Sequence, residues 1–180
     1  HNPPDRCYRC KRTLFAELKA VAAAEGLTWL ADGANQDDLS DYRPGMRALQ
    51  ELAVRSPLLE AGLGKADLRR YARALNLPVW NKPASACLLT RLPHDTEVQP
   101  ELLHRIEAAE QALLNLGFGT VRVRCHGDLA RIEVDRAEQA RLLQADIAAQ
   151  IVSALTDCGF RYVTLDLSGY RMGSFNIVAE

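Results

Sequence analysis

The 180-residue sequence lacks an excess of charge of either sign and lacks a long apolar run. Its 22 Lys and Arg residues nearly balance 23 Asp and Glu residues, which gives a net charge of -1. The chain as a whole therefore does not attract nucleic acid by its charge, and any anion site must be local. No apolar run approaches the roughly 18 residues that a membrane span requires. The chain shows no secretory signal, and because it begins at His1 instead of Met we interpret it as a fragment.

The sequence also lacks the cysteine pattern of one class of protein. The five cysteines are odd in number and unevenly spaced, which argues against a secreted disulfide scaffold. Reduced thiols fit better, so we expect a cytoplasmic protein. Apolar residues make up 48% of the chain and charged residues 25%, which is ordinary for a globular protein of one large or two small domains.

The first half of the chain alternates helices, short strands and polar loops. Apolar residues at helical spacing predict a helix that Thr13 caps and Gly26 ends, followed by a buried strand at residues 28–31. Further elements are predicted as helices over 44–53 and 65–75, with a strand or extended link at 56–59. The alternation favours a parallel sheet with crossover helices, in which ligands bind beyond the carboxyl ends of the strands.

The second half has a different pattern, which begins after a proline-containing boundary at residues 92–99. The predicted elements are a helix over 101–116, hairpin strands at 120–125 and 130–134, a helix from about 136 to 155, and a strand at 160–165. We therefore predict an α/β protein of two domains. Residues 1–95 form the C-terminal part of a parallel-sheet domain, and residues 96–180 form a small α+β domain of order α-β-β-α-β.

Three cysteines are candidates for metal chemistry. Cys7 and Cys10 form a C-x-x-C pair, whose spacing lets two sulfurs bind one metal ion or cluster. The same spacing also fits half of a zinc site, a redox disulfide or chance. Cys87 is a candidate third ligand, and three cysteines can hold a 4Fe–4S cluster with one iron open. Its local sequence equally allows a buried core residue, which is the role we predict for Cys125 and Cys158.

Two further clusters could bind anions or magnesium. Asp32, Asn35, Asp37 and Asp38 follow a predicted strand, where such loops hold Mg²⁺ with phosphates, although these residues are also typical of a solvated turn.

The second cluster lies on one face of the predicted hairpin. Arg122, Arg124 and Arg131 share that face, and arginine suits bidentate binding of phosphate or carboxylate. Glu133 and Glu110 are candidates to neutralise part of this set. The alternative is a solvated strand face with cross-strand ion pairs.

Several strings are specific in combination. They are NPPDRCYRCK at 2–11, DGANQDD at 32–38, DYRPG at 41–45, SPL at 56–58, WNKPASACLLTR at 80–91, GF at 117–118, VRVR at 121–124, ARIE at 130–133 and GFRYVTLDL at 159–167. Together they resemble the LarE family of ATP-dependent sulfur transferases, within the PP-loop (adenine nucleotide α-hydrolase) superfamily. The resemblance spans nearly the whole chain and implies that the first domain is a Rossmann-like PP-loop domain.

The resemblance also implies a reaction. Members of the family act in making the nickel-pincer nucleotide cofactor, by adenylating a carboxylate of a pyridinium dicarboxylate mononucleotide and converting it to a thiocarboxylate. Some members sacrifice one cysteine sulfur, whereas others carry three cysteines that bind a 4Fe–4S cluster. Cys7, Cys10 and Cys87 match the second type and are expected to be both catalytic and metal-binding.

The remaining site residues are also carried over from the family. Asp32, Asn35 and Asp38 would lie near the ATP phosphates and Mg²⁺, and Arg122 and Arg124 would hold a substrate phosphate. We add two basic residues to the cofactor-binding set, Lys65 and Arg91. The expected partners are ATP, the mononucleotide substrate and further copies of the chain, and neither a membrane nor nucleic acid is expected.

The sequence departs from the family pattern in two places. The pyrophosphate-binding loop, Ser-Gly-Gly-x-Asp-Ser, is absent, so we expect this fragment to bind ATP poorly and to be inactive alone. Residues 90–95 read TRLPHD, where the family more often has Ser-Arg followed by Pro-Tyr-Gly.

Two other functions stay open: a PP-loop enzyme that thiolates tRNA, and a zinc-stapled binding module without enzymatic activity.

Overall fold

The computed structural model describes residues 1–40, 43–82 and 86–171, and within them the protein is α/β, with seven α-helices and one three-stranded sheet. The chain divides into two compact units. We call residues 4–83 the helical unit, and residues 1–3 with 84–180 the sheet unit. The units divide earlier in the chain than the predicted domain boundary, because Leu88, Leu89 and Leu92 pack on the core of the sheet unit.

The helical unit contains four α-helices and a short 3-10 helix among its described residues. These are α1 (Arg6–Ala24), the 3-10 helix (Gln36–Ser40), α2 (Gly45–Glu51), α3 (Pro57–Glu60) and α4 (Lys65–Ala74). Helix α1 packs against α2. The close approach is made at Gly45, where a side-chain methyl group would come within 3.3 Å of the Cys7 carbonyl oxygen.

Helix α1 begins seven residues before the predicted cap, so the prediction at Thr13 is wrong. Asp5 is the first flanking residue instead: its backbone carbonyl accepts the Arg9 N–H at 3.1 Å, and its carboxylate pairs with the Arg9 guanidinium at 2.9 Å. Cys7 and Cys10 consequently lie inside the first two turns of a helix and not before it. Three residues apart, they share one helix face. The predicted end at Gly26 is confirmed, with φ of +70°.

Two predicted strands in the helical unit are wrong. Residues 28–31 form no regular strand and make a single parallel bridge, between Ala31 and Arg55, with backbone hydrogen bonds of 2.8 and 2.9 Å on either side. Residues 56–59 fall in helix α3, because Pro57 fits the first helical turn and the Glu60 carboxylate accepts the Ser56 N–H at 3.2 Å. The predicted helices over 44–53 and 65–75 are confirmed as α2 and α4.

The sheet unit confirms the predicted α-β-β-α-β order, with one helix divided in two. Its elements are α5 (Pro100–Asn115), β1 (Val121–His126), β2 (Leu129–Val134), α6 (Arg136–Leu142), α7 (Ala145–Asp157) and β3 (Tyr162–Leu165). The predicted helix over 136–155 becomes α6 and α7, because Gln144 has extended backbone and starts a new helix. Strand β1 pairs antiparallel with β2, and β2 pairs parallel with β3.

The hydrophobic core of the sheet unit lies between the sheet and helices α5 and α7. Alternate residues of the hairpin point into it, as their period-2 pattern predicts. The buried set includes Ile106, Leu113, Phe118, Val121, Val123, Cys125, Ile132, Val134, Ile151, Leu155 and Phe160. Cys158 packs against this core, so the core placement predicted for Cys125 and Cys158 is confirmed. No helix among the described residues is both long and apolar enough to cross a membrane.

Adjacent leucines of α5 give a matched test of this core. Leu113 is fully buried, whereas Leu114 is 43% exposed. We expect Leu113→Ala to destabilise the sheet unit by about 2–5 kcal/mol, because it removes buried surface and leaves a cavity. Leu114→Ala should change stability by about 0.5 kcal/mol or less. Pulsed alkylation of the buried Cys125 thiol across a urea series measures both values, and equal effects of the two substitutions would contradict the packing described here.

Candidate functional site

Exposure separates the three predicted site cysteines from the core cysteine. Cys7, Cys10 and Cys87 are exposed free thiols, and Cys125 is buried. The helical unit brings Cys7 and Cys10 together, whereas Cys87 belongs to the sheet unit. Within residues 1–40, 43–82 and 86–171, no three His, Cys, Asp or Glu side chains form a group that could hold a metal ion. The three-cysteine ligand set therefore stays a prediction.

Residues 32–38 of the helical unit, which we call the aspartate loop, form an ordered hydrogen-bonded structure. Asp32 follows the parallel bridge, and its Oδ1 accepts the Ser56 hydroxyl at 2.7 Å and the Ala34 N–H at 3.1 Å. Its Oδ2 faces the ammonium group of Lys11, 3.5 Å away, on the helix that carries Cys7 and Cys10. The solvated-turn interpretation is therefore wrong for Asp32, whose side chain is only 9% exposed.

Asp38 is the second buried carboxylate of this loop. One of its oxygens accepts both the backbone N–H and the side-chain amide of Asn35, each at 3.1 Å. The other lies 3.0 Å from the Arg43 guanidinium and 3.7 Å from the Lys65 ammonium. The structure thus brings together Asn35, Asp38 and Lys65, all predicted to be near ATP. Asp37 plays a different part, because its carboxylate accepts the backbone N–H of Lys65 at the start of α4.

Cys87 immediately precedes a short 3-10 helix, Leu88–Arg91, in the sheet unit. Its backbone carbonyl accepts the Thr90 N–H at 2.9 Å and the Thr90 hydroxyl at 2.8 Å. Arg91 is 3% exposed, and its guanidinium binds both oxygens of Glu110 at 2.8 and 2.9 Å. Two of the small residues that precede Cys87 in the sequence, at positions 84 and 85, lie outside the described residues.

The arginines of the hairpin share one face, as the register shows. Arg122 faces Glu133 across the two strands, and Arg124 faces Arg131. Glu133 is fully buried, and its carboxylate binds Arg124 in a bidentate pair at 2.9 and 2.8 Å. Arg131 approaches the same carboxylate at 3.4 Å. Arg122 and Arg124 are also buried, so the face is not solvated at these two residues, whereas the cross-strand ion pair of that alternative and the predicted neutralisation by Glu133 are observed. Glu110 binds Arg91.

Sequence reasoning missed several residues that complete these clusters. Lys11 and Ser56 hold Asp32, and Arg43 holds Asp38, although all three lie in strings that carry the family resemblance. Asn2 lies in another such string and is fully buried in the sheet unit. Its side-chain amide donates to the carbonyls of residues 89, 92 and 93 at 3.0 to 3.2 Å. The only signal for Asn2 in the sequence was its place in the string that contains Cys7 and Cys10.

Comparison with known proteins shows extensive similarity. The chain is 43% identical over 177 residues to an uncharacterized protein of Synechocystis sp. and 35% identical over 170 residues to an uncharacterized protein of Methanocaldococcus jannaschii. It is 41% identical over 176 residues to the pyridinium-3,5-bisthiocarboxylic acid mononucleotide synthase of Lactiplantibacillus plantarum. These matches cover 94 to 98% of this chain and 63 to 66% of the relatives, so the chain spans about two thirds of their length.

The similarity to the synthase supports the resemblance inferred from the motif strings. No protein-family model matches the chain.

Titration of His126 tests the charge distribution on the hairpin. Burial lowers the pKa of this imidazole below its usual 6.5, and the positive charges of Arg131 and Arg124 lower it further, while Glu133 opposes them. We expect NMR titration to place the pKa of His126 below 6.5 and Arg131→Gln to raise it part of the way back. Arg136→Gln, on helix α6, is the control and should leave that pKa unchanged.

The pH dependence of stability follows from the same shift. Because the folded-state pKa of His126 is lowered, the unfolded chain binds the proton more readily. The contribution of His126 to stability is therefore present above about pH 6.5 and is lost as the pH falls through the folded-state pKa. A pKa of His126 at or above the usual value would contradict this electrostatic description.

Proposed function

We propose that this chain belongs to the LarE family and is part of an ATP-dependent sulfur transferase of nickel-pincer cofactor synthesis. The observation that carries the proposal is its 41% identity, over 98% of its length, to a pyridinium-3,5-bisthiocarboxylic acid mononucleotide synthase. The exposure of the three motif cysteines supports the assignment, because sulfur chemistry requires accessible thiols. We extend the proposal to a PP-loop fold for the whole protein and to a cytoplasmic location.

The proposed reaction has two steps. A carboxylate oxygen of a pyridinium dicarboxylate mononucleotide attacks the α-phosphorus of ATP, and pyrophosphate leaves as the acyl-adenylate forms. A sulfide sulfur then attacks the acyl carbon, and AMP leaves with the carboxyl oxygen, which yields the thiocarboxylate. No electron is gained or lost by the substrate, so an inorganic sulfide source balances the reaction.

The thiols of this chain suit an iron–sulfur cluster by their chemistry. Cys7, Cys10 and Cys87 are reduced and exposed, and cysteine thiolates are the usual ligands of a 4Fe–4S cluster. Helix α1 holds Cys7 and Cys10 three residues apart on one face, and Cys87 would supply the third thiolate. When bound, the cluster would offer an open iron at which sulfide can be held.

The aspartate loop suits the nucleotide part of the reaction. Asp32 and Asp38 provide oxygen ligands of the kind that Mg²⁺ prefers, and Asn35 fixes the orientation of Asp38. Lys11 and Lys65 bring positive charge to the same loop, which phosphate oxygens require. We propose that this loop contributes to the binding of ATP and Mg²⁺.

Arginine on the hairpin is the proposed ligand of the substrate phosphate. Of the two residues predicted for this role, Arg124 commits its guanidinium to Glu133 and to the Thr90 carbonyl. We retain Arg122 for the phosphate on the resemblance alone. Its Nη1 donates to the Val121 carbonyl at 2.6 Å, and its guanidinium lies 5.1 Å from the ring centre of Tyr170. Assembly into a homo-oligomer remains part of the proposal.

Anaerobic reconstitution with iron and sulfide tests the cluster. We expect the full-length protein to turn brown and to bind about four irons per chain. Cys7→Ala, Cys10→Ala and Cys87→Ala should each lose most of the iron and the visible absorbance. Cys125→Ser and Cys158→Ser are matched controls that should retain both, because these residues belong to the core of the sheet unit.

Metal analysis in the same experiment tests the zinc alternative, and a separate tRNA-binding assay tests the other. A colourless protein that holds stoichiometric zinc and unfolds on chelation would indicate the zinc-stapled module and would overturn the cluster proposal. Binding of tRNA at physiological salt would favour the tRNA-thiolating enzyme, which the net charge of -1 argues against.

Substitution in the aspartate loop tests the nucleotide assignment. Asp32→Asn in the full-length protein should lower kcat/KM for ATP by about tenfold or more, because it removes a charge that would bind or orient the metal. Asp67→Asn, on the exposed face of α4 beside Arg70, is the control. Equal ATP dependence in both variants would exclude Asp32 from the nucleotide site.

A further inference from the structure

Two arginine–glutamate pairs hold the Cys87 segment, which we define as residues 86–91. Arg91 belongs to this segment and binds both oxygens of Glu110 on helix α5. Arg124 lies on β1 and binds both oxygens of Glu133 on β2. Each pair thus has the bidentate geometry in which a guanidinium is held in one orientation.

The guanidinium atoms turned away from the glutamates bind the backbone of the Cys87 segment. Arg91 Nη1 donates to the carbonyls of Ala86 and Cys87, at 3.1 and 3.2 Å, and to the Thr90 hydroxyl at 2.8 Å. Arg124 Nη1 donates to the carbonyl of Thr90 at 2.6 Å. Three backbone carbonyls of the segment therefore accept hydrogen bonds from the two arginines, and that of Cys87 also accepts the Thr90 N–H and hydroxyl.

The glutamates connect these contacts to rigid elements. Glu110 Oε1 accepts the backbone N–H of Val123 at 2.9 Å, in addition to its bond with Arg91. Glu133 lies on the central strand of the sheet, with no exposed surface. The Cys87 segment is thereby linked to α5, β1 and β2, although the cysteine itself is exposed.

The energetics of buried ion pairs indicate what this arrangement contributes. Removing two charges from water costs free energy that the pairing only partly returns, so apolar side chains often stabilise a core equally well. Hydrocarbon side chains, however, could not donate to the carbonyls of Ala86, Cys87 and Thr90. The pairs are therefore suited to fixing one backbone conformation, more than to raising the stability of the unit.

We propose that Arg91 and Arg124, each held by its glutamate, are positioning residues that fix the exposed thiol of Cys87 for sulfur chemistry. The part that concerns sulfur chemistry rests on the function proposed above. The conformational part concerns the chain alone. It assigns Arg91 to the backbone of the Cys87 segment instead of the nucleotide. It assigns Arg124 to the same backbone instead of the substrate phosphate.

Hydrogen exchange in the full-length protein tests the conformational part. Arg91→Lys keeps the charge but cannot bind Glu110 and the segment carbonyls together, so the amides of Thr90 and Leu92 should exchange about tenfold faster or more. Arg105→Lys is the matched control, since Arg105 donates to the carbonyls of Gly127 and Gly159 elsewhere in the sheet unit. Unchanged exchange at Thr90 and Leu92 in Arg91→Lys would overturn the proposal.

Alkylation of the buried Cys125 distinguishes local loosening from loss of the fold. If Arg91→Lys exposes Cys125, Thr90→Val replaces it as the test, because it removes only the hydroxyl between Arg91 and the Cys87 carbonyl. Thr90→Val should speed exchange of the same two amides while Cys125 stays protected. Exchange equal to that of the wild type would then count against the proposal.

Steady-state kinetics test the functional part. Arg91→Lys should lower kcat for sulfur transfer about tenfold or more while KM for ATP stays unchanged, because a misplaced thiol does not affect nucleotide binding. A raised KM with normal kcat would instead return Arg91 to the nucleotide site. If the wild-type protein transfers no sulfur but exchange still rises in Arg91→Lys, the proposed function fails and the conformational role stands.

Discussion

The fully buried carboxylate of Glu133 is the constraint on which the sheet unit depends. An unpaired charge at this position would cost several kcal/mol, so the surrounding residues must supply positive charge and hydrogen bonds. Arg124 supplies both from the facing strand, and Arg131 adds a second cation at 3.4 Å. The hairpin can be buried on both faces only because these charges compensate one another. A substitution that removes Arg124 alone would leave the glutamate uncompensated.

The helical unit is held together by different means. None of the residues of α1 is buried, and its apolar side chains Leu14, Leu18 and Val21 are exposed. What orders the loop beside it is a polar network, in which Asp32 and Asp38 are satisfied by hydroxyl, amide and cationic groups. Such a network specifies one conformation, because each buried oxygen needs its partner in place. The network therefore fixes the conformation of the aspartate loop, and it does not stabilise the unit by burying apolar surface.

Local periodicity was enough to predict the hairpin and the order of the elements in the sheet unit. The alternation of residues 121–125 and 130–134 gave the hairpin, and the buried hydrophobic residues followed from it. Two features of the helical unit were not accessible in this way. Residues 28–31 have the composition of a buried strand, yet they pair only through Ala31, because strand formation depends on partners distant in sequence. The start of α1 depended on Asp5 and Arg9, which do not belong to its apolar stripe.

The candidate site was predictable as residue types and not as contacts. The motif strings pointed to Cys7, Cys10, Cys87 and the aspartate loop, but a linear sequence does not show which cation meets which carboxylate. Arg91 and Arg124 illustrate the difference: as sequence they suggested ligands for anions, and in the fold they bind glutamates and backbone carbonyls.

Under the proposed function, the thiols of Cys7, Cys10 and Cys87 must be exposed to their partner and yet fixed in place, and the two requirements conflict. For Cys7 and Cys10, a helix resolves the conflict, because backbone hydrogen bonds fix each residue while its side chain points outward. Cys87 lies outside regular structure, so its carbonyl must be held by side chains instead. Buried arginines can do so from within the core without covering the thiol.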